Sequence, residues 1–188
     1  MDDAEIERQR IKNMSRVTSR GVDACLKDNE AARVELEILL GGPHAKAVVL
    51  AILEVAGAAS NAIRHNARLW QPFGPRENFL YELVTDRSDA GVRRVKNLLD
   101  AGWDPNLKVE GTHRTALMQV TNAWNPTNRD LAAMLLAAGA DPEARSAGGQ
   151  TALDFAPVSM RNFVQNLVRD IEQDTTNRSG ITSTKDPI

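Results

Sequence analysis

Three histidines, one cysteine and 25 acidic side chains are the groups in this chain best suited to chemistry, and their spacing decides what they can do. His44, His65 and His113 lie far apart, and none has a second His or a Cys at ligand spacing. Cys25 sits in an apolar helical pattern with no neighbouring His, so it reads as a small buried hydrophobe rather than a nucleophile. The stretch GGPHAK, residues 41 to 46, has glycines and a lysine but lacks the Ser/Thr and the spacing of a phosphate loop. It reads instead as a helix stop followed by a helix start. No Gly-x-Ser-x-Gly element occurs, and no carboxylate has a sequence context that would shift its pKa. The expectation is a protein that is not an enzyme and has no metal or cofactor.

Composition narrows the remaining classes. The chain has 188 residues, enough for one domain or a domain with an extension, and is 42% hydrophobic and 26% charged, as soluble globular proteins are. Aromatics are only 4%, so the core must come from Leu, Val, Ile and Ala, which favours packed helices. The formal net charge is −2, and residues 78 to 156 carry eight Lys/Arg against ten Asp/Glu. Nucleic-acid binding needs a denser positive surface, and the cluster Arg93, Arg94 and Lys96 reads as a solvated outer face. A single cysteine allows no intrachain disulfide and fits a reducing compartment. The start MDDAEIERQR is not followed by an apolar signal-peptide core. The longest apolar run, residues 47 to 59, contains Glu54 and is too short for a bilayer. These features predict a cytoplasmic or nuclear protein that does not engage membranes.

The elements that must position any site are marked by a repeat. LLDAGWDPN (98 to 106) and LLAAGADPE (135 to 143) share Leu-Leu, Gly, Asp and Pro at the same places. Upstream of these stops, Asn78-Phe79-Leu80, Thr115-Ala116-Leu117 and Thr151-Ala152-Leu153 begin three segments spaced 37 and 36 residues apart. Each unit is predicted as helix, loop, helix, Gly stop and turn. Thr115 and Thr151 are placed to cap the first helices. The second helices are VRRVKNLL (92 to 99) and DLAAMLLAA (130 to 138). A hairpin of this size cannot bury its apolar face alone, so neighbours must stack.

The motifs TALMQV, TALDFA and GADPE resemble the ankyrin repeat over residues 77 to 173. The resemblance implies an all-α, short ankyrin-like helical solenoid with units at 77–113, 114–149 and 150–173. Ala116 and Ala152 stand where the family usually has Pro, and Met118 and Asp154 where it has His, which removes the family's Thr–His hydrogen bond. The period exceeds the family's usual length of about 33 residues. The surplus is assigned to the loops TDRSDAG (85 to 91) and NAWNPTNR (122 to 129). Residues 1–76 are expected to form an N-terminal helical extension that caps the stack. The stripe Phe163, Val164, Leu167, Val168 and Ile171 is expected to close its other end, and residues 174–188 to form a flexible tail.

Ankyrin-like stacks generally bind proteins through outward turn fingers and short inner helices. Carried onto this chain, the resemblance implies that the fingers are residues 105 to 114 and 142 to 150. The partner-binding residues it implies there are Asn106, Lys108, Glu110 and His113 on the first finger, and Glu143, Arg145 and Ser146 on the second. Tyr81, Met118, Gln119 and Asp154 would join them from the inner helices. Trp124, beside Asn125-Pro126, is added from the second inserted loop, where an aromatic residue could serve as an anchor. Trp103 replaces the usual Ala of Gly-Ala-Asp and is assigned to packing, with Trp70 and Phe73 as its company. The expected function is protein–protein interaction, as adaptor, inhibitor or effector. The alternative is a structural subunit of a stable homo- or hetero-oligomer.

Overall fold

The computed structural model describes residue 43, residues 45–54 and residues 70–180, with side chains to residue 176. Cys25, His44, His65, the helices expected before residue 41 and over residues 60 to 69, and residues 181 to 188 lie outside the described residues. Among the described residues the secondary structure is helical. The helices are α1 (Ala45–Glu54), α2 (Arg76–Leu83), α3 (Asp89–Asp100), α4 (Ala116–Thr121), α5 (Pro126–Ala137), α6 (Ala152–Phe155) and α7 (Val158–Gly180), with a 3-10 turn at Gln71–Phe73 before α2. They pack in two rows. The short helices α2, α4 and α6 neighbour one another in that order, and α1, α3, α5 and α7 do the same behind them. Each long helix also folds back on the short one before it in the pairs α2–α3 and α4–α5.

This arrangement follows from burial. The helix α4 has 6 residues and α6 has 4, far below the ~12–15 at which an isolated helix becomes even marginal in water. Leu117 and Val120 of α4, Val95 and Leu98 of α3, and Leu131 and Leu135 of α5 are fully buried in one core that runs through both rows. Thr121 ties the row of short helices along its length, its hydroxyl donating from α4 to the Ala152 carbonyl of α6 at 2.9 Å. Asn128, also fully buried, donates its amide to the Val120 and Ala123 carbonyls at 2.7 and 3.1 Å and so closes the α4–α5 hairpin.

The glycine stops behave as the repeat requires. Gly102 and Gly139 have φ of 84° and 89°, the left-handed region that a Cβ disfavours. Behind them Trp103 N–H donates to the Leu98 carbonyl at 3.2 Å, and Ala140 N–H to the Leu135 carbonyl at 2.9 Å. These bonds satisfy carbonyls that the helix ends leave open.

Helix starts differ from expectation. The α3 helix begins at Asp89 rather than Val92, because Ser88 caps it and accepts from Gly91 N–H at 3.1 Å. The α5 helix begins at Pro126 rather than Asp130, with Asn125 accepting from Asn128 N–H at 2.8 Å and Pro at the first helical position. Both inserted loops are therefore shorter than the sequence pattern suggests. The helix α7 runs to Gly180, past the expected start of the tail at residue 174. Met160 and Val164 are buried on it, and Phe163, Leu167, Val168 and Ile171 pack partly buried against the core, as the stripe predicts.

At the other end, α1 lies against α3. Asn97 donates to the Leu53 carbonyl at 2.7 Å, and Arg94 pairs with both Glu54 and Asp86. The basic cluster thus splits, since Arg94 is drawn into this network while Lys96 pairs within its helix with Asp100. Asp86 is held below the ordinary carboxylate range by the Ser88 hydroxyl and then the Ser88 N–H, with Arg94 adding to the effect against the cost of burial. Trp103 is 3% exposed, with Trp70 at 5.7 Å and Phe79 at 5.4 Å between ring centroids. Phe73 joins through Phe79 at 4.8 Å.

The turn into α3 also makes Gly91 necessary. A Cβ there would stand 2.1 Å from the Asp86 carbonyl oxygen, so backbone must move to admit it. The Gly91→Ala variant should lose about 1–3 kcal/mol, the scale of overpacking. Urea denaturation checks this through the midpoint at constant m-value. A raised midpoint would mean that the gain in helix propensity, about 1 kcal/mol, had prevailed and that the close approach is not tight.

Candidate partner-binding surface

The two fingers are built from turns and then fastened to each other. In the first, Val109 N–H donates to the Arg114 carbonyl at 2.9 Å and His113 N–H to the Val109 carbonyl at 2.8 Å. His113 takes a φ of 53° to close that turn. In the second, Ser146 N–H donates to the Gln150 carbonyl at 2.9 Å, Ser146 Oγ accepts from Gln150 N–H at 3.2 Å, and the Arg145 guanidinium holds the Gly149 carbonyl at 2.8 Å. Asn106 ties the first finger to the turn that leads into the second. Its Nδ2 donates to the Gly139 carbonyl at 2.9 Å, and its Oδ1 accepts from Asp141 N–H at 2.8 Å. Farther out, Ala147 N–H donates to the Thr112 carbonyl at 2.9 Å and Lys108 Nζ reaches the Arg145 carbonyl at 3.3 Å.

This geometry sorts the candidate residues. Asn106, Lys108, Arg145 and Ser146 spend side-chain bonds on the fingers themselves. Glu110, His113 and Glu143 are exposed, and their side chains make no hydrogen bond or ion pair with any described residue. On the inner row, Tyr81 and Gln119 come together, the tyrosine hydroxyl donating to Gln119 Oε1 at 2.8 Å. Met118 must be withdrawn from the surface, since it is fully buried. On a 6-residue helix that packs against α2, α5 and α6, the neighbouring position Gln119 keeps partial exposure and Met118 does not.

Asp154 is exposed on the inner row and also has a structural task. Its carboxylate accepts from Thr151 N–H at 2.8 Å and from the Thr151 hydroxyl at 3.0 Å. The bond missing through loss of the Thr–His pair is thus replaced by a Thr–Asp one, part of a capping box in which Thr151 caps α6. Thr115 caps α4 likewise, accepting from Met118 N–H at 3.4 Å. The Thr151 N–H is the main reason that the Asp154 carboxyl lies below its ordinary range. The Thr151 hydroxyl follows, and Arg145 and Arg161 contribute less.

Trp124 is 46% exposed in the short loop between α4 and α5, edge-on to Phe163 of α7 at 6.2 Å. The sequence reading missed Arg129 and Phe163 as its companions, because they meet only when α5 and α7 pack. No family model matches the chain, and no curated protein matches it. Among the described residues no group of His, Cys, Asp and Glu is placed to hold a metal ion, and no helix is long and apolar enough to cross a membrane. A shallow cavity of about 310 Å³ lies between α3 and α5, lined by Leu99, Met134, Ala137 and Ala138 with Lys96 and Asp100 at its edge.

Two predictions follow from the bonds. Asn106→Ala should lower stability by about 1 kcal/mol, the net scale of an exposed hydrogen-bonded bridge, as read from the urea midpoint. An unchanged midpoint would mean that the fingers do not hold each other. For Asp154, a depressed folded pKa gives stability that is complete above the unfolded value of about 3.9. That stability is lost as pH falls through the lower folded value. Thermal melts from pH 6 to 2 should therefore show a steeper acid decline in wild type than in Asp154→Asn. Parallel declines would contradict the Thr151 contact.

Proposed function

We propose that this chain is a short ankyrin-like helical solenoid that binds another protein through its finger tips and its inner row of short helices. Three things support this reading. The TALMQV, TALDFA and GADPE motifs fall on α4, α6 and the turn after α5. The helices alternate between two rows in chain order. The third is the observation that carries the proposal: Glu110, His113 and Glu143 are exposed and uncommitted at the tips of loops that are pinned to each other. Surface groups held in place before binding lose less entropy when a partner arrives. Tyr81 and Gln119 add a polar pair from the inner row.

The test compares affinity capture by wild type and by a Glu110→Ala, His113→Ala, Glu143→Ala triple variant, with captured proteins identified by mass spectrometry. None of these side chains supports the fingers, so the variant should keep its melting temperature. A partner retained by wild type and reduced about tenfold or more in the variant, the loss expected when a few interface residues dominate, is the expected outcome. Equal capture would move the site away from the fingers. Light scattering on a dilution series tests the oligomeric alternative, since a permanent assembly would remain multimeric.

A further inference from the structure

Trp124 in the loop before α5, Arg129 on α5 and Phe163 on α7 form an arrangement that the fingers do not use. The Arg129 guanidinium lies 5.1 Å from the Trp124 ring centroid and 4.9 Å from that of Phe163. The rings hold the cation by their π faces. Rings hold a guanidinium without using its N–H groups as hydrogen-bond donors, which stay available to an acceptor. The Arg129 guanidinium donates to no carboxylate and no carbonyl among the described residues. Three other described arginines bond through the guanidinium. Arg94 pairs with two acids, Arg145 bonds to the Gly149 carbonyl, and Arg161 bonds to the Leu153 and Ala156 carbonyls. Arg76 also lies over two rings, 5.4 Å from Trp70 and 5.0 Å from Trp103, but Trp103 is buried. Arg129 is exposed, as is Trp124, so the cation and the adjoining indole can be reached from solvent together.

We propose that Trp124, Arg129 and Phe163 form a second binding surface, separate from the fingers, that takes an acidic peptide segment: a carboxylate on the Arg129 edge and a neighbouring aliphatic side chain against Trp124. A guanidinium already fixed by two rings presents a planar fork to a carboxylate and loses little freedom in pairing with it. Exposed Trp beside Arg is the composition in which interface energy concentrates. A single such cation, with Asp130 next to it in the chain, lacks the density of positive charge that a nucleic-acid backbone requires.

The full chain, labelled with 15N, tests this through the Trp124 indole N–H signal, assigned by its loss in Trp124→Phe. The probes are a blocked hexapeptide alternating leucine and glutamate, its glutamine counterpart, and inorganic phosphate. The expected result is a saturable shift with the glutamate peptide. Affinity should fall at least about tenfold for the glutamine peptide and for Arg129→Gln, as loss of a charge-assisted bond implies. Arg129→Lys, which keeps a cation over the rings but not the fork, should fall between. The proposal is overturned by no saturation with the glutamate peptide, by equal affinity for both peptides, by undiminished binding in Arg129→Gln, or by phosphate binding as tightly as the peptide.

Discussion

The fold depends on burial that no single hairpin can complete. With α4 at 6 residues and α6 at 4, local hydrogen bonding cannot sustain the inner row, and its helices exist because α2, α4, α6 and the row behind them share one core. Everything at the surface inherits this. The fingers leave the long helices at Gly102 and Gly139, so their origins are fixed by the same packing that buries Leu98 and Leu135. The Asn106 bridge can then form only because neighbouring helices are in register.

Polar groups inside the stack settle that register. Thr121 reaches from α4 to the Ala152 carbonyl, Asn128 from α5 back to Val120 and Ala123, and Asn97 from α3 to Leu53. Each satisfies a carbonyl at or near the end of a helix, where the helical ladder provides no donor. Apolar packing alone tolerates sliding; a buried amide that must find a particular carbonyl does not. The finger side chains then divide into those that fasten the loops and those left facing solvent. A binding surface needs both kinds.

Much of this was legible in the chain. The doubled Leu-Leu-x-Ala-Gly-x-Asp-Pro marks both helix stops, the stripe on α7 marks a closing helix, and Trp103 packs with the aromatic residues expected beside it. Helix starts were less legible. Asn125-Pro126 reads equally as a loop or as a cap with proline at the first helical turn, and only packing of α5 chooses between them. Met118 and Gln119 differ by one position on a helix enclosed by its neighbours, so which of them is exposed depends on rotation that periodicity in six residues cannot define. Asp154 carried a usable signal, since an acid three residues after a threonine can bond back to it. The comparison with the ankyrin pattern drew attention to the absent histidine instead. The cluster of Arg129 with Trp124 and Phe163 had no local signal, because Phe163 is supplied by a helix far along the chain.

The central claim is that the fingers form one body with the stack and so hold the proposed binding surface in place. Native-state hydrogen exchange at Asp141 and Ala147 tests it most directly, since their N–H groups bond across the two fingers to Asn106 and Thr112. The account predicts protection at both amides that approaches that of α5 and is lost in the same opening event. Exchange at those two positions near the rate of an unstructured chain, while α4 and α5 stay protected, would contradict it.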